Sequence, residues 1–126
     1  MSAAPTTETP VELVTRFENT FNTYDVDALM ADMTEDCVFE HIAPAAVSFG
    51  RHEGQAAVRA VWVSLAEHFP GYRFEIEDVF GAGSRCACRW SMTWRLPDGG
   101  TGTARGADIF RVRDGKVAEK LTYVTL

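Results

Sequence analysis

Between Arg85 and Leu96 every second residue is apolar: Cys86, Cys88, Trp90, Met92, Trp94 and Leu96 share one phase, and Arg85, Arg89, Ser91, Thr93 and Arg95 share the other. Successive side chains of a strand point to opposite faces, so this stretch predicts a long strand with one dry face and one wet face. Tyr72–Phe80 repeats the pattern, with Tyr72, Phe74 and Ile76 opposite Arg73, Glu75 and Glu77. Gly81-Ala82-Gly83-Ser84, Pro97-Asp98-Gly99-Gly100 and Arg113-Asp114-Gly115 read as turns that separate these strands from two more, over Thr103–Val112 and Val117–Leu126. Strands joined by tight turns are antiparallel, and a sheet with one apolar face needs a cover.

The N-terminal half supplies that cover. Thr9, Pro10 and Glu12 form a T-x-x-E capping box with proline at the first helical position. Val14, Phe17, Phe21 and Tyr24 then follow at helical spacing. Asn22–Asp25 breaks the stripe, and Asp25 is a cap for a second helix that holds Val26, Leu29, Met30 and Met33 inside. Cys37–Ile42 alternates as a strand and Pro44–Arg51 reads as a loop. A third helix is expected over Glu53–Glu67, with Val58, Val61, Trp62 and Leu65 on its apolar side and Pro70-Gly71 as its stop. The order is α+β, with residues 1–8 a flexible N-terminal tail and 9–126 a single domain. A twisted sheet wrapped over helices leaves a cone whose open end admits a small molecule.

The net charge of -6 argues against nucleic acid, which needs a clustered basic surface. Arg85, Arg89, Arg95, Arg105, Arg111 and Arg113 alternate along strands and read as a solvated sheet face. No apolar run approaches a membrane span of roughly 20 residues. The odd cysteine count and the lack of a secretion signal point to a reducing, cytoplasmic setting, with Cys37, Cys86 and Cys88 as buried thiols. No metal-ligand spacing, nucleotide-binding glycine loop or nucleophile elbow is present, so no metal or cofactor is expected.

Asp108 is the most informative polar residue. Alternation with Phe110 and Val112 places its carboxyl group on the apolar face, where it must find a partner or keep its proton. One reading makes it a structural carboxylate, the other a working one. His41 shares a face with Cys37 and Phe39 and precedes a loop, where a pocket rim falls, so it reads as either an acid–base group or a rim residue. Trp62, Trp90, Met92 and Trp94 fit a core equally well as a pocket wall.

Four stretches then carry a family resemblance: Phe21-Asn22-Thr23-Tyr24-Asp25-Val26-Asp27-Ala28-Leu29, Glu35-Asp36-Cys37-Val38-Phe39-Glu40, Gly54-Gln55-Ala56-Ala57-Val58-Arg59, and Arg105–Val117. With these the chain resembles the SnoaL-like branch of the NTF2-like superfamily, from Val11 to the C-terminus. The resemblance implies a cone of bent, mostly antiparallel sheet around an apolar pocket, in a homodimer. Its members include ketosteroid isomerases, polyketide cyclases, limonene epoxide hydrolases, dehydratases and non-catalytic proteins, so the fold leaves the reaction open.

By the same resemblance Asp108 falls on the oxyanion-hole Asp of ketosteroid isomerase, and His41 on its Asp base. Phe17 falls on its oxyanion-hole Tyr, and Trp62 on a further Tyr of that network. Thr122 stands where epoxide hydrolases and SnoaL-type cyclases carry a catalytic Asp. The implied catalytic pair is therefore His41 and Asp108, with Phe17, Phe39, Trp62, Trp90, Met92, Phe110 and Thr122 lining a site for a small apolar molecule. Two functions follow. One is a cofactor-independent isomerase, cyclase or dehydratase that moves a proton on a carbonyl-type substrate, with either His41 or Asp108 as the acid–base group. The other is a ligand-binding or dimerisation module with a vestigial site.

Overall fold

The computed structural model describes residues 8–43 and 49–125. The expected tail lies outside them except for Glu8, as do residues 44–48 of the expected loop and Leu126. Helix α1 (Pro10–Thr20) starts at the capping box: the Thr9 hydroxyl accepts from the Glu12 amide, and the Glu12 carboxylate accepts from the Thr9 amide. A single 3-10 turn (Phe21–Thr23) leads to α2 (Val26–Ala31), capped by Asp25 as expected. Strands β1 (Met33–Ile42) and β2 (Gly50–Glu53) precede α3 (Gln55–His68). Four long strands follow: β3 (Arg73–Ala82), β4 (Arg85–Arg95), β5 (Thr101–Arg113) and β6 (Lys116–Thr125). No helix among the described residues is long and apolar enough to cross a membrane.

The strands form one open mixed sheet in the order β2-β1-β6-β5-β4-β3, antiparallel except for β1 against β6. The three helices pack on its inward face around Phe17, Phe21, Phe39, Trp62, Trp90 and Phe110, and this is the α+β cone expected from the sequence. The outward face carries the six arginines, all exposed, with Arg89 and Arg105 paired to Glu77. The three cysteines are buried and free.

Two elements differ from expectation for tertiary reasons. Met33 opens β1 rather than closing α2, because the Gln55 amide holds the carbonyls of Met30, Met33 and Thr34 while Met33 pairs with Val117. Gly50–Glu53 pairs with β1, and its four residues show no apolar alternation by which to foresee it. A bulge between Ile76 and Asp78 also shifts the phase of β3, so that Val79 rather than Asp78 turns inward.

The β4–β5 pair is built for close approach. Gly102 and Gly106 lie opposite Trp94 and Trp90, whose indoles lie across the bare glycine backbone. A Cβ at Gly106 would meet the Trp90 ring and come within 2.7 Å of the Tyr123 carbonyl oxygen. Gly106→Ala is accordingly expected to lower stability by about 1–3 kcal/mol, the usual cost of overpacking. Urea unfolding measures this, and an unchanged midpoint would rule out the close-packing account.

Candidate functional site

Between the helices and the sheet lies a cavity of about 160 Å³ with mainly apolar walls. Phe21, Phe39, Trp62, Phe74, Trp90 and Trp94 are among its walls, and Phe49 and Phe69 also line it. Besides its tryptophans, four lining residues carry polar side chains: Glu18 from α1, His41 from β1, and Lys120 and Thr122 from β6.

Of the residues singled out from the sequence, His41, Phe39, Trp62, Trp90, Met92 and Thr122 line the cavity. Phe17 and Phe110 do not: both are fully buried in the core behind it, their rings meeting edge to face at 6.1 Å. Phe17 faces inward on the stripe it was read on, but α1 and the 3-10 turn after it present Glu18 and Phe21 to the cavity instead. Asp108 is 0% exposed and is not part of the wall, whereas Thr122, its cross-strand neighbour on β6, is. The structure thus does not place His41 and Asp108 side by side on one cavity surface.

Asp108 has instead found partners. Its Oδ1 accepts from the Thr122 hydroxyl at 2.6 Å, and Lys120 Nζ lies 3.3 Å from the same oxygen. Lys120 also donates to Thr122 Oγ1 at 2.9 Å. Lys120 is 6% exposed, and its ammonium sits over four aromatic rings: Phe39 at 5.1 Å, Phe21 at 5.5 Å, Trp62 at 5.6 Å and Phe110 at 6.0 Å from the ring centres. Ring faces attract a desolvated cation, so the box and the carboxylate together hold a charge that burial alone would expel. Three of those rings also line the cavity.

Lys120 was not read from the sequence, although the signal was there. Thr122 points inward, and a residue two positions away on a strand shares its face. Glu18 was missed in the same way. It lies four residues after Val14 and three before Phe21, inside the apolar stripe of α1, and is only 3% exposed. Burial, then the nearby Asp108 charge, holds the Glu18 carboxyl well above the usual range, with Lys120 opposing.

His41 is held by its neighbour across the β1–β2 connection. The Phe49 backbone N–H donates to His41 Nδ1 at 3.1 Å, so the neutral ring carries its proton on Nε2. Burial and the positive charge of Lys120 lower its pKa to about 4, Asp108 opposing. At neutral pH His41 is therefore an uncharged hydrogen-bond donor whose Nδ1 lone pair is already engaged. That geometry does not suit the base role in the implied pair. Among the described residues no group of three or more His, Cys, Asp or Glu is placed to hold a metal ion.

The comparisons with known proteins agree with this architecture. The model of the SnoaL-like domain matches residues 14–120, and the chain belongs to that family. An NTF2-like protein of unknown function from Mesorhizobium loti is 32% identical, with a TM-score of 0.74 over 100% of this chain and 98% of that one. A candidate polyketide cyclase from Pseudomonas putida is 25% identical, with a TM-score of 0.75 over 94% of this chain and 92% of its own. A second candidate polyketide cyclase, from Xanthomonas campestris, is also 25% identical, with a TM-score of 0.72 over 90% and 88%. A search of curated proteins found no match.

Two expectations follow from the site. Asp108→Ala removes the carboxylate 3.3 Å from the Lys120 ammonium, together with the acceptor of the Thr122 hydroxyl, and is expected to cost about 3–5 kcal/mol. The double variant Asp108→Leu/Lys120→Met should recover most of that loss in urea unfolding, and a double variant as unstable as Asp108→Ala would contradict the pairing. His41 has a folded pKa of about 4 against an ordinary 6.5, so the unfolded chain binds its proton first. Its contribution to stability is present above pH 6.5 and is lost as the pH falls toward about 4. The difference in unfolding free energy between wild type and His41→Gln should therefore shrink over that window, and a difference independent of pH would refute the assignment.

Proposed function

We propose that this protein binds a small cyclic carbonyl compound in the apolar cavity and stabilises its enolate, as an isomerase, cyclase or dehydratase does. The observation that carries this reading is the Lys120 ammonium: a desolvated cation, held in place by Asp108 and Thr122, on the wall of an otherwise apolar cavity. Fixed charge in a water-poor site is worth most where negative charge develops on a substrate oxygen. His41 lines the same cavity and is uncharged at neutral pH, so Lys120 faces no second cation there.

In this arrangement Asp108 is a positioning residue. It touches Lys120 and Thr122 and orients the ammonium rather than meeting substrate. The size of the cavity favours a single ring, since an engineered apolar cavity of about 150 Å³ takes up benzene. Ring closure through an enolate is among the reactions such a site supports, in keeping with the two polyketide-cyclase-named relatives.

The test is 4-nitrophenol, whose absorbance reports its ionisation and whose phenolate imitates an enolate. Wild type should bind it as phenolate at a pH about one unit below its free pKa, a preference worth about 1.4 kcal/mol. Lys120→Met should bind it un-ionised. Uptake of neutral phenol by the wild type would reject the enolate reading and leave a plain apolar binding pocket.

A further inference from the structure

Stabilising an enolate settles where the negative charge goes but leaves open which group moves the proton. The cavity offers few choices. The Lys120 ammonium has only protons to give, and its geometry commits it to Asp108 and Thr122. The Thr122 hydroxyl donates to Asp108. His41 Nδ1 accepts from the Phe49 amide, so the lone pair a base would use is engaged.

Glu18 is different. It is 3% exposed, it lines the cavity, and its Oε1 has no hydrogen-bond partner among the described residues. Asp108 Oδ2, behind the wall, is in the same condition. Two carboxylates cannot donate to each other, and leaving both as buried ions would cost far more than one proton placed between them. A single proton supplies the hydrogen bond that neither ion can make, as happens wherever two close carboxyl groups cannot both ionise.

We propose that Glu18 and Asp108 share one proton, and that Glu18 is the catalytic residue that exchanges protons with substrate carbon. The proposal rests on the enolate reading above and adds the acid–base group to it. With one proton the pair carries one negative charge, which Lys120 balances. In the forward step the substrate's α C–H bond breaks, its electron pair passes to the carbonyl oxygen as enolate, and an O–H bond forms on Glu18. The carboxyl pair then holds two protons and is neutral, and the enolate becomes the counter-charge of Lys120. Return of the proton from Glu18 to the γ-carbon of the conjugated enolate regenerates the starting pair and leaves an isomerised double bond. No other reactant is consumed.

The probe is cyclohex-3-enone in D2O, with α-deuteration and conversion to cyclohex-2-enone followed by NMR. Wild type is expected to catalyse both. Glu18→Gln, which keeps the shape and a donor but cannot take up a proton, should slow both by about 10²–10⁴-fold. It should still bind 4-nitrophenol as phenolate, since Lys120 is untouched. That result separates the two readings: retained phenolate binding with undiminished exchange overturns the role of Glu18 and leaves the enolate site standing. A wild type that neither ionises the phenol nor exchanges the proton overturns both.

A second measurement does not depend on turnover. The infrared difference spectrum of wild type minus Glu18→Gln at neutral pH should show the carbonyl stretch of a protonated carboxylic acid. Its absence overturns the shared proton, whatever the kinetics.

Discussion

A lysine ammonium buried among aromatic rings is the constraint around which the inner face of this protein is arranged. Dehydrating such a charge costs several kcal/mol even after relaxation, so it persists only where compensation is close and well oriented. Asp108 at 3.3 Å, Thr122 at 2.9 Å and the faces of four rings supply that compensation. All of it depends on the β5–β6 register, which sets Asp108 opposite Thr122 and Phe110 opposite Lys120. A slip of one residue would turn Lys120 and Thr122 to the outward face and leave Asp108 alone in the core.

The same compensation shapes the cavity. Phe21, Phe39 and Trp62 serve both as the box around the ammonium and as walls. Lys120 therefore presents its charge to the cavity from a surface with little water to screen it. The cation also reaches beyond its direct partners. It helps keep His41 uncharged, and it opposes the rise that burial and Asp108 impose on Glu18. Four side chains from α1, β1 and β6, with a fifth behind them on β5, form one electrostatic unit.

How far the sequence reaches is clearest strand by strand. Cys86, Cys88, Trp90 and Met92 all face the core, as strict alternation required, because the face of a regular strand depends on nothing but the residue count. Where the strand is irregular the count fails: after the bulge in β3 it is Val79 that turns inward. Gly50–Glu53 escaped notice because its strand character comes from pairing with β1, across a connection the local pattern does not encode. The site was legible in part. His41 was recognisable from its strand face and its place before a loop, Asp108 from its phase and Thr122 from resemblance, whereas Lys120 and Glu18 went unread although each occupies an inward position of its own element. Charged residues at such positions are rare enough that the expectation of a wet face prevails.

The sequence by itself determined the α+β order, the capped first helix, the inward phase of β4 and β5, and the burial of Asp108. These are consequences of local periodicity and capping chemistry. Only the tertiary structure decided what the buried carboxyl meets. The depth of each residue along the cone set Asp108 behind Thr122 rather than beside His41, and convergence of α1 with β6 brought Glu18 and Lys120 to the same cavity. Periodicity tells which way a side chain points. Its neighbour there depends on how distant segments pack.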